Sequence, residues 1–68
     1  MKLSARNQLP GSIVAIKLGQ TTAHVTIDVG GKASVTASIT NESVAELGLK
    51  VGDKVFAVIK SSDVMVGK

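Results

Sequence analysis

Thr22-Ala23-His24-Val25-Thr26-Ile27-Asp28-Val29, followed by Gly30-Gly31-Lys32 and Ala33-Ser34-Val35-Thr36-Ala37-Ser38-Ile39-Thr40, is the stretch that decides the fold. In the first run Ala23, Val25, Ile27 and Val29 alternate with Thr22, His24, Thr26 and Asp28. In the second, Ala33, Val35, Ala37 and Ile39 alternate with Ser34, Thr36, Ser38 and Thr40. Period-2 alternation of this kind is the signature of a strand with one face buried. The glycines between the runs supply positive φ at no steric cost, so the two segments read as one hairpin.

Working outward, Gly11 to Leu18 reads as an earlier strand that Gly19 closes, and Val55 to Ile59 as a later one. Both carry unbroken apolar runs, Ile13-Val14-Ala15-Ile16 and Val55-Phe56-Ala57-Val58-Ile59. Such runs fit strands buried on both faces. With no helices to cover the second face, the cover is expected from another subunit. Asn41 to Leu47 is the one helix candidate, capped by Thr40 or Asn41, with Glu42 at the positive end of the helix dipole. Gly48 is placed to end it in a left-handed conformation. Leu49 to Lys54 turns the chain into the Val55 strand, and Val64-Met65-Val66 reads as a last short strand. The expected architecture is all-β: an OB-like barrel of five to six strands, closed or nearly closed, with one short helix.

With 68 residues the chain is expected to be a single domain, 1–68. A domain this small is marginal unless disulfides, a metal or oligomerisation support it. There is no cysteine, and His24 is the single histidine, so neither a disulfide nor a compact His/Cys metal cluster is expected. The hydrophobic content of 44% is large for so small a body, and Phe56 is its sole aromatic residue. The apolar excess reads as subunit interface. The N-terminus lacks the apolar run of a signal peptide, and no segment reaches the ~20 apolar residues of a membrane span. A cytoplasmic protein without a membrane partner is expected. The net charge of +3 leans towards anionic partners.

Two polar segments could carry chemistry. Ser4-Ala5-Arg6-Asn7-Gln8 offers a hydroxyl and the planar donor fork of Arg6, which suits an oxyanion. Lys60-Ser61-Ser62-Asp63 adds a point charge and two hydroxyls where the Val55 strand ends. On chemistry alone, the plainer readings are a solvated arm for the first and a capped turn for the second. The five carboxylates are scattered along the chain, so no paired acid/base site is evident, and no catalytic residue is assigned. His24 lies on the polar face of its strand with no nucleophile beside it. Single-strand nucleic-acid sites stack bases on aromatic platforms, and this chain has neither Trp nor Tyr.

Taken together, Met1-Lys2-Leu3-Ser4-Ala5-Arg6-Asn7-Gln8-Leu9 and Ala57-Val58-Ile59-Lys60-Ser61-Ser62-Asp63-Val64-Met65 closely resemble the molbindins. These are small molybdate- and tungstate-binding proteins, formerly called molybdenum-pterin-binding proteins. Ser43-Val44-Ala45-Glu46-Leu47-Gly48-Leu49 and Val51-Gly52-Asp53 resemble the same family, so the likeness spans essentially the whole chain. It implies an OB-like barrel assembled as a hexamer, a trimer of dimers, with oxyanion sites between subunits. In one site type the Ser-x-Arg segment of one subunit meets the Lys-Ser segment of another. Carried over by motif, that site comprises Ser4, Ala5, Arg6, Lys60 and Ser61, with Thr40 as a further donor. A second site type, near the three-fold axis, falls at Gly19, Gln20 and Thr21. No aromatic sandwich for a pterin is present.

The expected function is therefore reversible binding of molybdate, and of tungstate, for storage or homeostasis, without catalysis and without a cation site. Two other readings stand beside it. One is an interaction module of the kind attached to molybdate-responsive regulators or transporter ATPases, which the same segments also resemble. The other is an OB-type nucleic-acid-binding module, which the missing aromatics disfavour.

Overall fold

The hairpin forms as its alternation requires. Strand β2 (Thr22–Gly30) pairs antiparallel with β3 (Ala33–Thr40), with Val25 opposite Ala37 and Ile27 opposite Val35. Gly31 and Lys32 make a two-residue loop, both with positive φ (59° and 65°). Primed two-residue turns match the right-handed twist of the flanking strands, which is why this backbone closes here. In this computed structural model residues 3–68 are described; Met1 and Lys2, which open the N-terminal motif, lie outside the described residues.

Strand β1 (Asn7–Leu18) lies between β2 and β4 (Lys54–Ile59), so the sheet runs β3-β2-β1-β4, antiparallel throughout. β1 begins four residues before the expected Gly11, because Asn7 to Pro10 already pair with β4. Its apolar run has a local cause. Between Ile13 and Ala15 the register shifts, so Ile13 faces Ile27 while Ala15 faces Thr26. Val14 is the extra residue of a β-bulge, which resets the alternation. Ile13 and Ile16 consequently share the inner face, and Val14 is exposed. The backbone of Ile13 turns to the loop before β4: its N–H donates to Asp53 O (2.9 Å) and its carbonyl accepts from Gly52 N–H (2.8 Å).

Ile13, Val25, Ile27 and Ala57 form the buried core, with Val44 and Leu49 from the helical segment packed against it. Helix α1 (Asn41–Leu47) starts on Thr40 and ends at Gly48, left-handed at φ 62°. Neither it nor any other described helix is long and apolar enough to cross a membrane.

The all-β, OB-like architecture with one short helix is as expected; among the described residues the sheet is a curled half-barrel of four strands, where five to six were expected. Val64-Met65-Val66 is not a strand. A 3₁₀ turn (Ser61–Asp63) follows β4, and the last residues pair with none of the described strands. A strand exists only where a neighbour's ladder meets it. Among the described residues the outer edges of β3 and β4 stay unpaired, and between them opens an apolar trough of about 600 Å³, lined by Val35, Ile39, Leu49, Val55 and Ile59 among others. On the outer face Phe56 and Val58 are exposed by 51% and 39%, so the second face of β4 is uncovered within one chain.

Candidate functional site

The pairing of β1 with β4 brings the two polar segments together. Its last register pair is Asn7 with Ile59. Arg6 and Lys60 each come one residue beyond it, so their backbones leave the ladder side by side, and both side chains are exposed. The resemblance implies that these two residues meet from different subunits; within one chain the register brings both to the same end of the sheet. Asn7 helps to hold the end of the ladder, its Nδ2 donating to Ile59 O at 3.1 Å. Lys60 is extended (φ −66°, ψ 142°) and leads directly into the 3₁₀ turn that begins at Ser61.

Three backbone carbonyls near this end are occupied. Gln8 Nε2 donates to Ala5 O (3.3 Å), Asp63 N–H to Lys60 O (2.9 Å) and Val64 N–H to Ser61 O (3.3 Å). Carbonyl oxygens repel an oxyanion, whereas guanidinium, ammonium and hydroxyl groups attract it. With these three carbonyls engaged, the donors at this end of the sheet are the hydroxyls of Ser4 and Ser61, the fork of Arg6 and the ammonium of Lys60; the exposed Asp63 carboxylate lies in the same turn. Ala5 has no side-chain donor and is half-buried.

Thr40 is not part of this cluster. It pairs with Thr22, which lies past the Leu18 end of β1, whereas Arg6 precedes its Asn7 end. In one chain the two positions are therefore separated by the length of that strand. Thr40 Oγ1 accepts from Ser43 N–H (3.0 Å) and donates to Ser43 Oγ (2.9 Å), so its hydroxyl caps α1. Thr40 can join Arg6 and Lys60 only from a second copy.

Gly19, Gln20 and Thr21 form the turn between β1 and β2, at the Thr40 end. Gly19 N–H donates to Thr22 O at 2.9 Å, and a Cβ on Gly19 would stand 2.7 Å from that same oxygen, so only glycine fits. Asn41 grips this turn from the start of α1. Sequence reasoning weighed Asn41 only as a cap. The bond that matters joins residues 22 positions apart, which no local pattern reveals. His24 is exposed on β2, between Lys17 of β1 and Ser38 of β3 in register.

With this geometry in view, the likeness to known proteins is informative. The TOBE domain family matches residues 3–66. Molybdenum-pterin-binding protein 3 of Clostridium pasteurianum is 48% identical over 66 residues, covering 97% of each chain. The solved structure of a molybdate-binding protein from Sporomusa ovata superposes with a TM-score of 0.92 at 40% identity, covering 100% of both chains. The cytoplasmic molybdate-binding protein ModG, solved with molybdate bound, superposes with a TM-score of 0.90 at 46% identity over 96% of this chain and 46% of its own. The match spans every described strand and both polar segments, so the chain belongs to the TOBE-domain family of molybdenum-pterin-binding proteins.

Proposed function

We propose that this protein binds molybdate reversibly, and tungstate by the same chemistry, at sites completed between copies of itself, and serves as an intracellular store or buffer of the anion rather than as an enzyme. The observation that supports this reading is the β1–β4 register, whose last pair, Asn7 with Ile59, brings the Arg6 and Lys60 segments to the same end of the sheet. Ser4, Ala5, Arg6, Lys60 and Ser61 of one chain form one wall of the interface site. Thr40 belongs to it as a residue of a second copy. The turn Gly19-Gln20-Thr21 forms the second type of site, around a three-fold axis. The assembly is a hexamer, a trimer of dimers, in the cytoplasm.

The mechanism is charge-assisted hydrogen bonding in a space that assembly dries. A tetrahedral dianion accepts from hydroxyls, N–H groups and two cations at once, and exclusion of water strengthens each bond by lowering the local dielectric. Phosphate, which keeps a proton near neutral pH, is disfavoured wherever every lining group is itself a donor. Sulfate carries no such proton and is separated by size. The test is isothermal titration of the native protein with molybdate, tungstate, sulfate and phosphate, with elemental analysis of the dialysed complex. Saturable uptake of molybdate and tungstate, with sulfate and phosphate much weaker, is expected. Equal affinity for all four, or no uptake, overturns the reading.

A further inference from the structure

We propose that Asn41 is a positioning residue for anion binding at the Gly19–Thr22 turn: it draws the turn's carbonyl oxygens inward, so that the turn presents N–H groups to the ligand. This rests on the proposed second site, and it assigns that site the residue that makes it a donor surface.

A turn contains equal numbers of donors and acceptors, so it favours an oxyanion only if something else engages its carbonyls. Here three are engaged. Asn41 N–H donates to Thr21 O at 2.8 Å, Asn41 Nδ2 donates to Gly19 O at 2.9 Å, and Gly19 N–H donates to Thr22 O at 2.9 Å. The N–H groups of Gln20 and Thr21 take no partner among the described residues, and both residues are exposed. Two of these three bonds come from Asn41, one through its side chain and one through its backbone N–H.

The Asn41 side chain is not arranged for its own hydrogen bonding. Its Oδ1 is buried and has no partner among the described residues. A buried acceptor left unmatched is unfavourable. Flipping the amide offers no relief, because Oδ1 would then face the carbonyl of Gly19. Asn41 also sits at the first position of α1, where a backbone N–H has no partner inside the helix. That otherwise free donor is spent on Thr21 O. Helix start and turn are thereby fixed to each other through both of Asn41's donors.

The prediction concerns one class of site and not the other, because the Arg6–Lys60 cluster lies at the far end of β1. In the native oligomer, titrated with molybdate, Asn41→Ala should weaken the turn class roughly tenfold, the worth of about one hydrogen bond. The Arg6–Lys60 class, identified by its loss in Arg6→Ala, should stay within about twofold, since distant sites act independently. Asn41→Asp provides the companion variant. An acidic residue suits the first helical turn, so the fold is kept, but its carboxylate faces Gly19 O and adds negative charge beside the ligand. It should weaken the turn class at least as much as Asn41→Ala. Gln20→Pro deletes one of the two unpartnered N–H groups and tests the site itself. If Gln20→Pro weakens one class while both Asn41 variants, folded by circular dichroism and unchanged in native mass, do not, the turn binds the anion and the role of Asn41 is wrong. Loss of both classes together in Asn41→Asp also overturns it, as a general structural effect. If Gln20→Pro, folded and assembled, changes neither class, the turn is not an anion site, and the reading beneath the proposal fails with it.

Discussion

At the residue scale, the pair that matters is Arg6 and Lys60, each one residue beyond the last rung of the β1–β4 ladder. Each supplies a charge-assisted donor worth roughly 1.5–3 kcal/mol, so Arg6→Ala or Lys60→Ala should weaken molybdate binding about ten- to a hundredfold. Arg6→Lys should also weaken it, since the charge stays but the planar fork is lost. Titration calorimetry on the assembled variants measures both effects; wild-type affinity in Arg6→Lys would show that charge alone matters. Their placement in one chain makes a sharper prediction. When Arg6→Ala and Lys60→Ala subunits are mixed and subunit exchange is verified by native mass spectrometry, no site should regain wild-type affinity, because no chain carries both residues. Recovery of a fraction of tight sites would mean that the two residues meet across subunits, as the family resemblance implies.

At the element scale, the helix is short and depends on its ends. α1 has seven residues and none is buried, so caps and a few side contacts hold it. Thr40→Ala removes the Oγ1 that accepts from Ser43 N–H and should cost about 1 kcal/mol of stability, whereas Thr40→Ser keeps an oxygen there and should cost little. Urea unfolding checks this: the midpoint should fall in Thr40→Ala with an unchanged slope. An equal loss in both variants would assign the effect to the Thr40 methyl group rather than to the cap. The hairpin and the helix were both legible from local pattern, since alternation and capping residues act over a few positions. The β1 bulge was not. Ile13-Val14-Ala15-Ile16 reads as a strand covered on both faces, yet within the chain it is one inner face interrupted by an extra residue. An apolar run and a bulged amphipathic strand have the same composition, and only the partner register separates them.

At the scale of the whole molecule, a half-barrel with two unpaired edges and an open apolar trough is an incomplete way to bury this sequence. Phe56 and Val58 face outward on β4, and Met65 and Val66 are 93% and 94% exposed. Apolar surface of this extent on so small a body favours association. In the proposed hexamer, Phe56→Asp should therefore place a charge in an interface. Sedimentation at micromolar concentration should show a smaller species than wild type, with molybdate uptake lost alongside. An unchanged sedimentation coefficient would remove the outer face of β4 from the interface. A wild-type protein that sediments as a stable, folded monomer would sink the shared-site reading altogether.

The all-β class, the Thr22–Thr40 hairpin, the Thr40-capped helix and the donor chemistry of the Ser4–Arg6 and Lys60–Ser61 segments were legible in the residues alone, because alternation, capping and donor type are properties of residues and their near neighbours. Tertiary structure decided the rest. It brought the Arg6 and Lys60 segments to one end of the sheet through a ladder that joins the first and last thirds of the chain, and it set Thr40 beyond the other end of β1. It also set Asn41 on the Gly19 turn and left Val64-Met65-Val66 without a strand to pair with. Each of these depends on which backbone groups meet across long stretches of chain. Side-chain pattern constrains such meetings only after the register is chosen, and register is a property of the assembled sheet.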